Sequence, residues 1–214
     1  MYNLGILASS QHGAVGGASV EFITSSTSIG TSGTEPAHNA GDLIILFAAT
    51  GYGDAINNPS GYTTISNYLL GSTWKLRTLL SYKIGTGTPV NNTMNYAGTV
   101  CYAVFRNASS TVQWIKNSGT VNIATSAAIT PDNSNGMFVI FAGQHKDRGN
   151  PVNPVSGLTT IWNVAGGSGS NREDNDAQYD TTLTTAALEI PSKNISASSS
   201  TRPFIAYSVI INPT

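Results

Sequence analysis

The chain carries one long internal echo. Gly41-Asp42-Leu43-Ile44-Ile45-Leu46-Phe47-Ala48, then Pro59-Ser60-Gly61-Tyr62-Thr63-Thr64-Ile65, returns about a hundred residues later. The second copy reads Gly136-Met137-Phe138-Val139-Ile140-Phe141-Ala142-Gly143, then Pro154-Val155-Ser156-Gly157-Leu158-Thr159-Thr160-Ile161. The close of each stretch repeats as well, with Cys101-Tyr102-Ala103-Val104-Phe105-Arg106-Asn107 matching Ala206-Tyr207-Ser208-Val209-Ile210-Ile211-Asn212. A period this long, present only twice, excludes a solenoid, whose units run to roughly 20–50 residues. It implies two similar strand sets, 40–107 and 135–212, packed as pseudo-twofold mates around a shared core.

The segments between turn signals read as strands. β-Branched and aromatic runs bounded by Gly, Pro or Asn predict strands at Ala18–Thr24, Asp42–Thr50, Thr63–Leu70, Lys75–Ile84 and Met94–Arg106 in the first half. The second half gives a connecting pair at Val112–Ile115 and Val121–Ala124, then Met137–Gly143, Leu158–Val164, Tyr179–Ile190 and Phe204–Ile211. Sustained helical periodicity is absent. Leu43–Ala49 and Phe138–Ala142 are apolar almost without interruption, the pattern of strands covered on both faces by a second sheet or a neighbouring subunit. The expected fold is all-β, a two-sheet jelly-roll or Greek-key β-sandwich over residues 40–214. Residues 1–39, rich in Gly, Ser, Thr and Ala, read as an extended N-terminal arm with one strand.

Composition narrows the function classes. Charged residues make up 10% of the 214, against about 25% in an average domain, so solubility rests on hydroxyls and amides. A net charge of -1 leaves no electrostatic footprint for nucleic acid or an anionic membrane surface. The single cysteine, Cys101, lies in an apolar alternating run and reads as a buried core thiol. No basic region or long apolar stretch opens the chain, and synthesis in a cytosol is expected.

Candidate contact residues fall into three places. Asn171-Arg172-Glu173-Asp174-Asn175-Asp176 offers carboxylate and amide oxygens of the kind calcium takes, or else a solvated loop or intersubunit salt-bridge patch, with Arg172 and Asp174 as contacts. Gln144-His145-Lys146-Asp147-Arg148 follows an apolar strand, and His145, Lys146 and Arg148 read as contacts to a neighbour or a glycan. Trp74, Trp114, Trp162, Tyr52, Tyr62 and Tyr68 are possible sugar-stacking aromatics. Trp74, after Gly71-Ser72-Thr73, is the best placed for exposure, and Trp162 reads as core. No G-x-S-x-G elbow, metal-spaced histidine pair or assigned carboxylate pair is present, so neither catalysis nor a cofactor is expected.

Ala40-Gly41-Asp42-Leu43-Ile44, Pro59-Ser60-Gly61-Tyr62-Thr63, Ser81-Tyr82-Lys83-Ile84 and Ala103-Val104-Phe105-Arg106-Asn107 together resemble a β-sandwich domain of minor virion proteins of tailed bacteriophages. Where that family has Trp after the turn glycine this chain has Tyr62, and where it has a closing Gly this chain has Asn107, which tolerates a left-handed backbone. The resemblance implies a virion component assembled in the host cytoplasm, a capsid decoration, cement or tail accessory protein contacting other virion subunits as a homo-oligomer. It carries over no catalytic residue. The rival expectation is a receptor- or carbohydrate-binding module of a tail fibre that contacts a host surface glycan.

Overall fold

The computed structural model describes residues 18–95, 98–145, 155–166 and 173–214, with the backbone alone at 196–200. Every regular element among the described residues is a strand. In chain order they are β1 (Glu21–Ile29), β2 (Ser32–Thr34), β3 (Ala40–Thr50), β4 (Thr63–Leu70), β5 (Leu76–Thr86), β6 (Asn91–Thr93), β7 (Thr99–Arg106), β8 (Ala108–Thr125), β9 (Met137–His145), β10 (Thr159–Gly166), β11 (Glu173–Tyr179) and β12 (Asn194–Pro213). Two five-stranded antiparallel sheets form, ordered β1-β7-β3-β5-β4 and β8-β12-β9-β11-β10. Each sheet comes wholly from one half of the chain. The strands do not alternate between sheets as they would in a jelly roll.

The two orders are the same order. β3 matches β9, β4 matches β10, β5 matches β11 and β7 matches β12, so the sequence echo is an echo of topology. Register fixes the equivalence: Phe47 lies opposite Leu80 and Cys101, as Phe141 lies opposite Ala177 and Tyr207. The first β4–β5 partners, Thr63 and Tyr82, correspond to Thr159 and Tyr179, and a bulge follows at Ile65 in one half and Ile161 in the other. Gly41 and Gly136 are therefore one residue out of structural register, although the lettering aligns them. Side chains alternate faces along a strand, so a one-residue slip would turn the core outward. The inward residues are Leu43, Ile45 and Phe47 in β3, and Met137, Val139 and Phe141 in β9.

Three apolar layers account for the uninterrupted runs. The main core lies between the sheets, where the equivalent rings of Phe47 and Phe141 stack at 6.1 Å between centroids. Ile44, Leu46, Ala48, Leu79, Val100, Tyr102 and Val104 face outward beneath Ile56, Tyr62 and Met94 of the crossing connections. Phe138, Ile140, Ala206 and Ile210 face outward on the other sheet, beneath Ile129 and Ile195. The chain's own connections thus cover both outer faces. In each half the two straps pair with one another, β2 with β6 in the first and Ile129 with Ile190 in the second.

The motif residues are ties within this frame. Asp42 receives Nε and Nη2 of Arg106 at 3.1 and 3.2 Å, plus the Asn39 amide at 2.8 Å, joining the starts of β3 and its strap to the end of β7. Glu35 takes Lys83 at 2.6 Å, the Tyr62 hydroxyl at 2.9 Å and Asn92 Nδ2 at 3.1 Å beneath the first sheet's straps. Gly61 and Gly157 adopt φ of 82° and 85° in the same turn, closed by Tyr62 N to Pro59 O and Leu158 N to Val155 O. Asn107 takes the left-handed backbone expected of it, at φ 56°.

Three expectations change. The strand expected at Ala18–Thr24 runs instead over Glu21–Ile29, in the first sheet and paired along β7, and Phe22 packs against Phe105 and Tyr179. Residues 1–17 lie outside the described residues. Met94–Arg106 is broken, with Met94 buried as part of the strap over the first sheet and β7 starting at Thr99. Tyr179–Ile190 is likewise no strand beyond Tyr179, because the Asp180 carboxylate accepts the Thr182 amide at 2.8 Å and Ala187 sits at φ 60°, which together turn the chain away.

Candidate functional site

β3 and β9 finish, and β5 and β11 begin, at one end of the sandwich. Three of the candidate residues gather there: Trp74 in the β4–β5 hairpin, His145 at the end of β9, and Asp174 near the start of β11. Lys146, Arg148 and Arg172 lie outside the described residues. Gly71 makes the hairpin possible, since its φ is 88° and a Cβ there would strike the Trp74 carbonyl.

Trp74 is half-buried rather than open. The Arg202 guanidinium carbon sits 4.5 Å from its ring centroid, and the buried His145 ring lies 5.3 Å away at 55°. A cation over an aromatic face is held by the ring's negative quadrupole, so this indole is a fixed wall. Beside it opens a cleft of about 290 Å³, lined by Gly51–Asp54, Thr73–Lys75 and His145. Tyr52 projects into solvent at 50% exposure, and Asp54 and Lys75 are also exposed. The loop carrying Tyr52 is anchored by its amide to Thr50 Oγ1 at 3.1 Å and by Arg77 Nη2 to the Gly53 carbonyl at 3.3 Å.

Beneath the cleft, β11 departs from the expected polar loop. Glu173, Asp174, Asn175 and Asp176 form a buried strand. Glu173 and Asn175 face the inter-sheet space, while Asp174 and Asp176 face the opposite side, so these carboxylates cannot converge on one calcium ion. Among the described residues no group of three or more His, Cys, Asp or Glu is placed to hold a metal. Glu173 lies opposite His145 on one side and Gly166 on the other, and the Gly51 backbone N–H is the donor that favours its ionised form. Its carboxylate occupies the space that a side chain at Gly98 or Gly166 would fill. Burial pushes its pKa up to about 8, and burial likewise lifts Asp176 to about 7.

The remaining candidates are accounted for by packing. Cys101 is fully buried, its thiol pushed up by burial, and Trp162 is core against Phe141. Tyr62 serves Glu35, and the Tyr68 ring is covered by Lys116 at 2.8 Å from its centroid. Trp114 is 41% exposed on β8.

Sequence reasoning missed one large feature. β8 is a single 18-residue strand on the edge of the second sheet, not a connecting pair. Asn117, Ser118 and Gly119, which part the two expected segments, pair in unbroken register with Ala206, Ile205 and Phe204; beyond them the register first slips between Val121 and Ile123, and Asn117 Nδ2 lies 3.0 Å from the Thr125 carbonyl. Ile115, Val121 and Ile123 are exposed along it with Trp114.

Fold and site together define an all-β sandwich of two equivalent sheets with a small polar cleft at one end. No family model matches the chain, and neither a curated protein nor a solved structure does so.

Proposed function

We propose that this protein is a non-enzymatic structural component of a tailed-phage virion, a capsid decoration, cement or tail accessory subunit that works by surface contact. The observation that carries the reading is the β8 edge. Edge strands are ordinarily blunted by charge, proline or short length. β8 has 18 residues, no proline, no carboxylate and one cation, Lys116, which is engaged over Tyr68. Trp114, Ile115, Val121 and Ile123 stand exposed along it at 39–50%. A near-neutral chain places little repulsion between such an edge and a neighbouring subunit.

The resemblance supports the same reading. Its motif residues are consumed by the Asp42–Arg106 and Glu35–Lys83–Tyr62 ties and by the Gly61 turn, so they serve the fold and leave no chemistry over.

The test is immunogold labelling of particles purified from cells that produce this chain. Label at a fixed place on shell or tail is expected, and clean particles that carry none refute the reading. Ile115→Lys should reduce incorporation while leaving the thermal midpoint of the free protein unchanged.

A further inference from the structure

We propose that the cleft beside Trp74 binds one pyranose ring of a glycan, with Tyr52 as the stacking face and Asp54 and Lys75 as hydrogen-bonding partners. This goes beyond the structural role and stands or falls apart from it.

Three observations carry the inference. The first is size: about 290 Å³ lies at the lower bound of small-molecule pockets, room for one sugar ring and not for a chain. The second is charge. Asp54 and Lys75 line the same space from two loops, yet neither forms an ion pair within 4.0 Å among the described residues. An unpaired carboxylate repels a phosphate, and an unpaired ammonium repels a metal ion. A hydroxyl satisfies both, because it donates to one and accepts from the other. The third is preorganisation. Trp74 is fixed between Arg202 and His145, the Tyr52 loop is tied to Thr50 and Arg77, and the Lys75 stem lies against Gly53. Groups already held in place lose little freedom on binding. With Trp74 enclosed, the half-exposed Tyr52 is the ring left to stack on a sugar.

The experiment is saturation-transfer NMR with the full chain and four probes in turn, glucose, galactose, mannose and N-acetylglucosamine, with inorganic phosphate as the charged control. At least one sugar should bind with a Kd of about 1 mM, and phosphate should not bind. Tyr52→Ala and Asp54→Ala should each weaken that sugar about tenfold, with Trp114→Ala neutral. Tyr52 and Asp54 are surface residues, so circular dichroism should show the same midpoint for each variant as for the parent. Lys75→Met supplies a further variant on the opposite wall. Failure of all four sugars to bind, binding of phosphate in their place, or a sugar Kd unmoved by both cleft variants overturns the proposal. Immunogold label on particles would be untouched by any of these outcomes, which separates the two proposals.

Discussion

Replacing Glu35 tests whether the straps over the first sheet are held by a buried ion pair. The carboxylate is buried, and it gathers Lys83 at 2.6 Å, Tyr62 at 2.9 Å and Asn92 at 3.1 Å, with the Val90 amide at 3.3 Å. Glu35→Ala leaves Lys83, itself 12% exposed, without its counter-ion and the Tyr62 hydroxyl without its acceptor, while Asn92 Nδ2 keeps the Tyr102 hydroxyl at 3.1 Å. Removing one partner of a buried pair costs about 3–5 kcal/mol. Lys83 keeps the Tyr62 ring 5.1 Å away, which places the loss toward the lower bound, about 3 kcal/mol. With a urea slope of about 3 kcal/mol/M, the midpoint should fall by about 1 M. Glu35→Gln combined with Lys83→Met should lose less than the two singles summed, a coupling of about 1–3 kcal/mol. Burial alone would raise the Glu35 pKa, but the bonds from Lys83, Asn92 and Tyr62 outweigh it and hold the pKa below the usual 4.5. The stabilisation is therefore present above pH 4.5 and fades as pH falls through the lowered value. A Glu35→Ala midpoint within about 0.2 M of the parent, or strict additivity in the double variant, would refute the reasoning.

Three further outcomes are expected. A Cβ at Gly61 or Gly157 meets nothing within 4 Å, so alanine at either costs only the left-handed backbone, about 1–2 kcal/mol. The costs should add in the double variant, and urea unfolding that finds more than about 3 kcal/mol at either site counters the turn assignment. A chain beginning at Ala18 should fold, whereas one beginning at Ala40 loses β1 and Glu35 and should show no cooperative melt; a normal melt for the shorter chain contradicts the pairing of β1 with β7. Glu173 has a folded pKa of about 8 against an ordinary 4.5, so the folded state holds the extra proton between those values. Stability should decline as pH rises from 4.5 through 8, and Glu173→Gln should flatten that slope in melts taken across the range.

Much of the frame was legible in the sequence. Strands β3, β4, β5 and β9 fall within a residue or two of the turn signals that bound them, because β-branched runs closed by Gly and Pro leave the backbone few alternatives. The turns at Gly61 and Gly157 were legible for the same reason. The Gly41–Gly136 alignment misled by one residue, since apolar character on both faces erases the alternation that fixes register. β8 was obscured because Asn117-Ser118-Gly119, residues common in turns, lie within the paired strand. β11 was misread as a loop, since Glu-Asp-Asn-Asp is a sequence that water normally keeps, and only the packing around it shows otherwise. Of the cleft, Trp74 and His145 were legible singly. Their meeting depends on the two sheets lying face to face, which no local pattern encodes.

The duplicated frame offers an internal comparison for β11. Register places Leu76, Thr78, Leu79 and Ser81 of β5 opposite, in the other half, Glu173, Asn175, Asp176 and Gln178. Strand order, neighbours and direction are the same for both, so topology asks for nothing charged at these positions. Leu76 and Leu79 show that buried aliphatic groups satisfy them. Their counterparts bury two carboxyls, whose pKa values of about 8 and 7 register the cost of ionising them there. The substitution is also not spread evenly. It begins at Glu173, opposite His145, at the end of the sandwich that carries the cleft. Stability alone does not select carboxylates where the matching sheet has leucine.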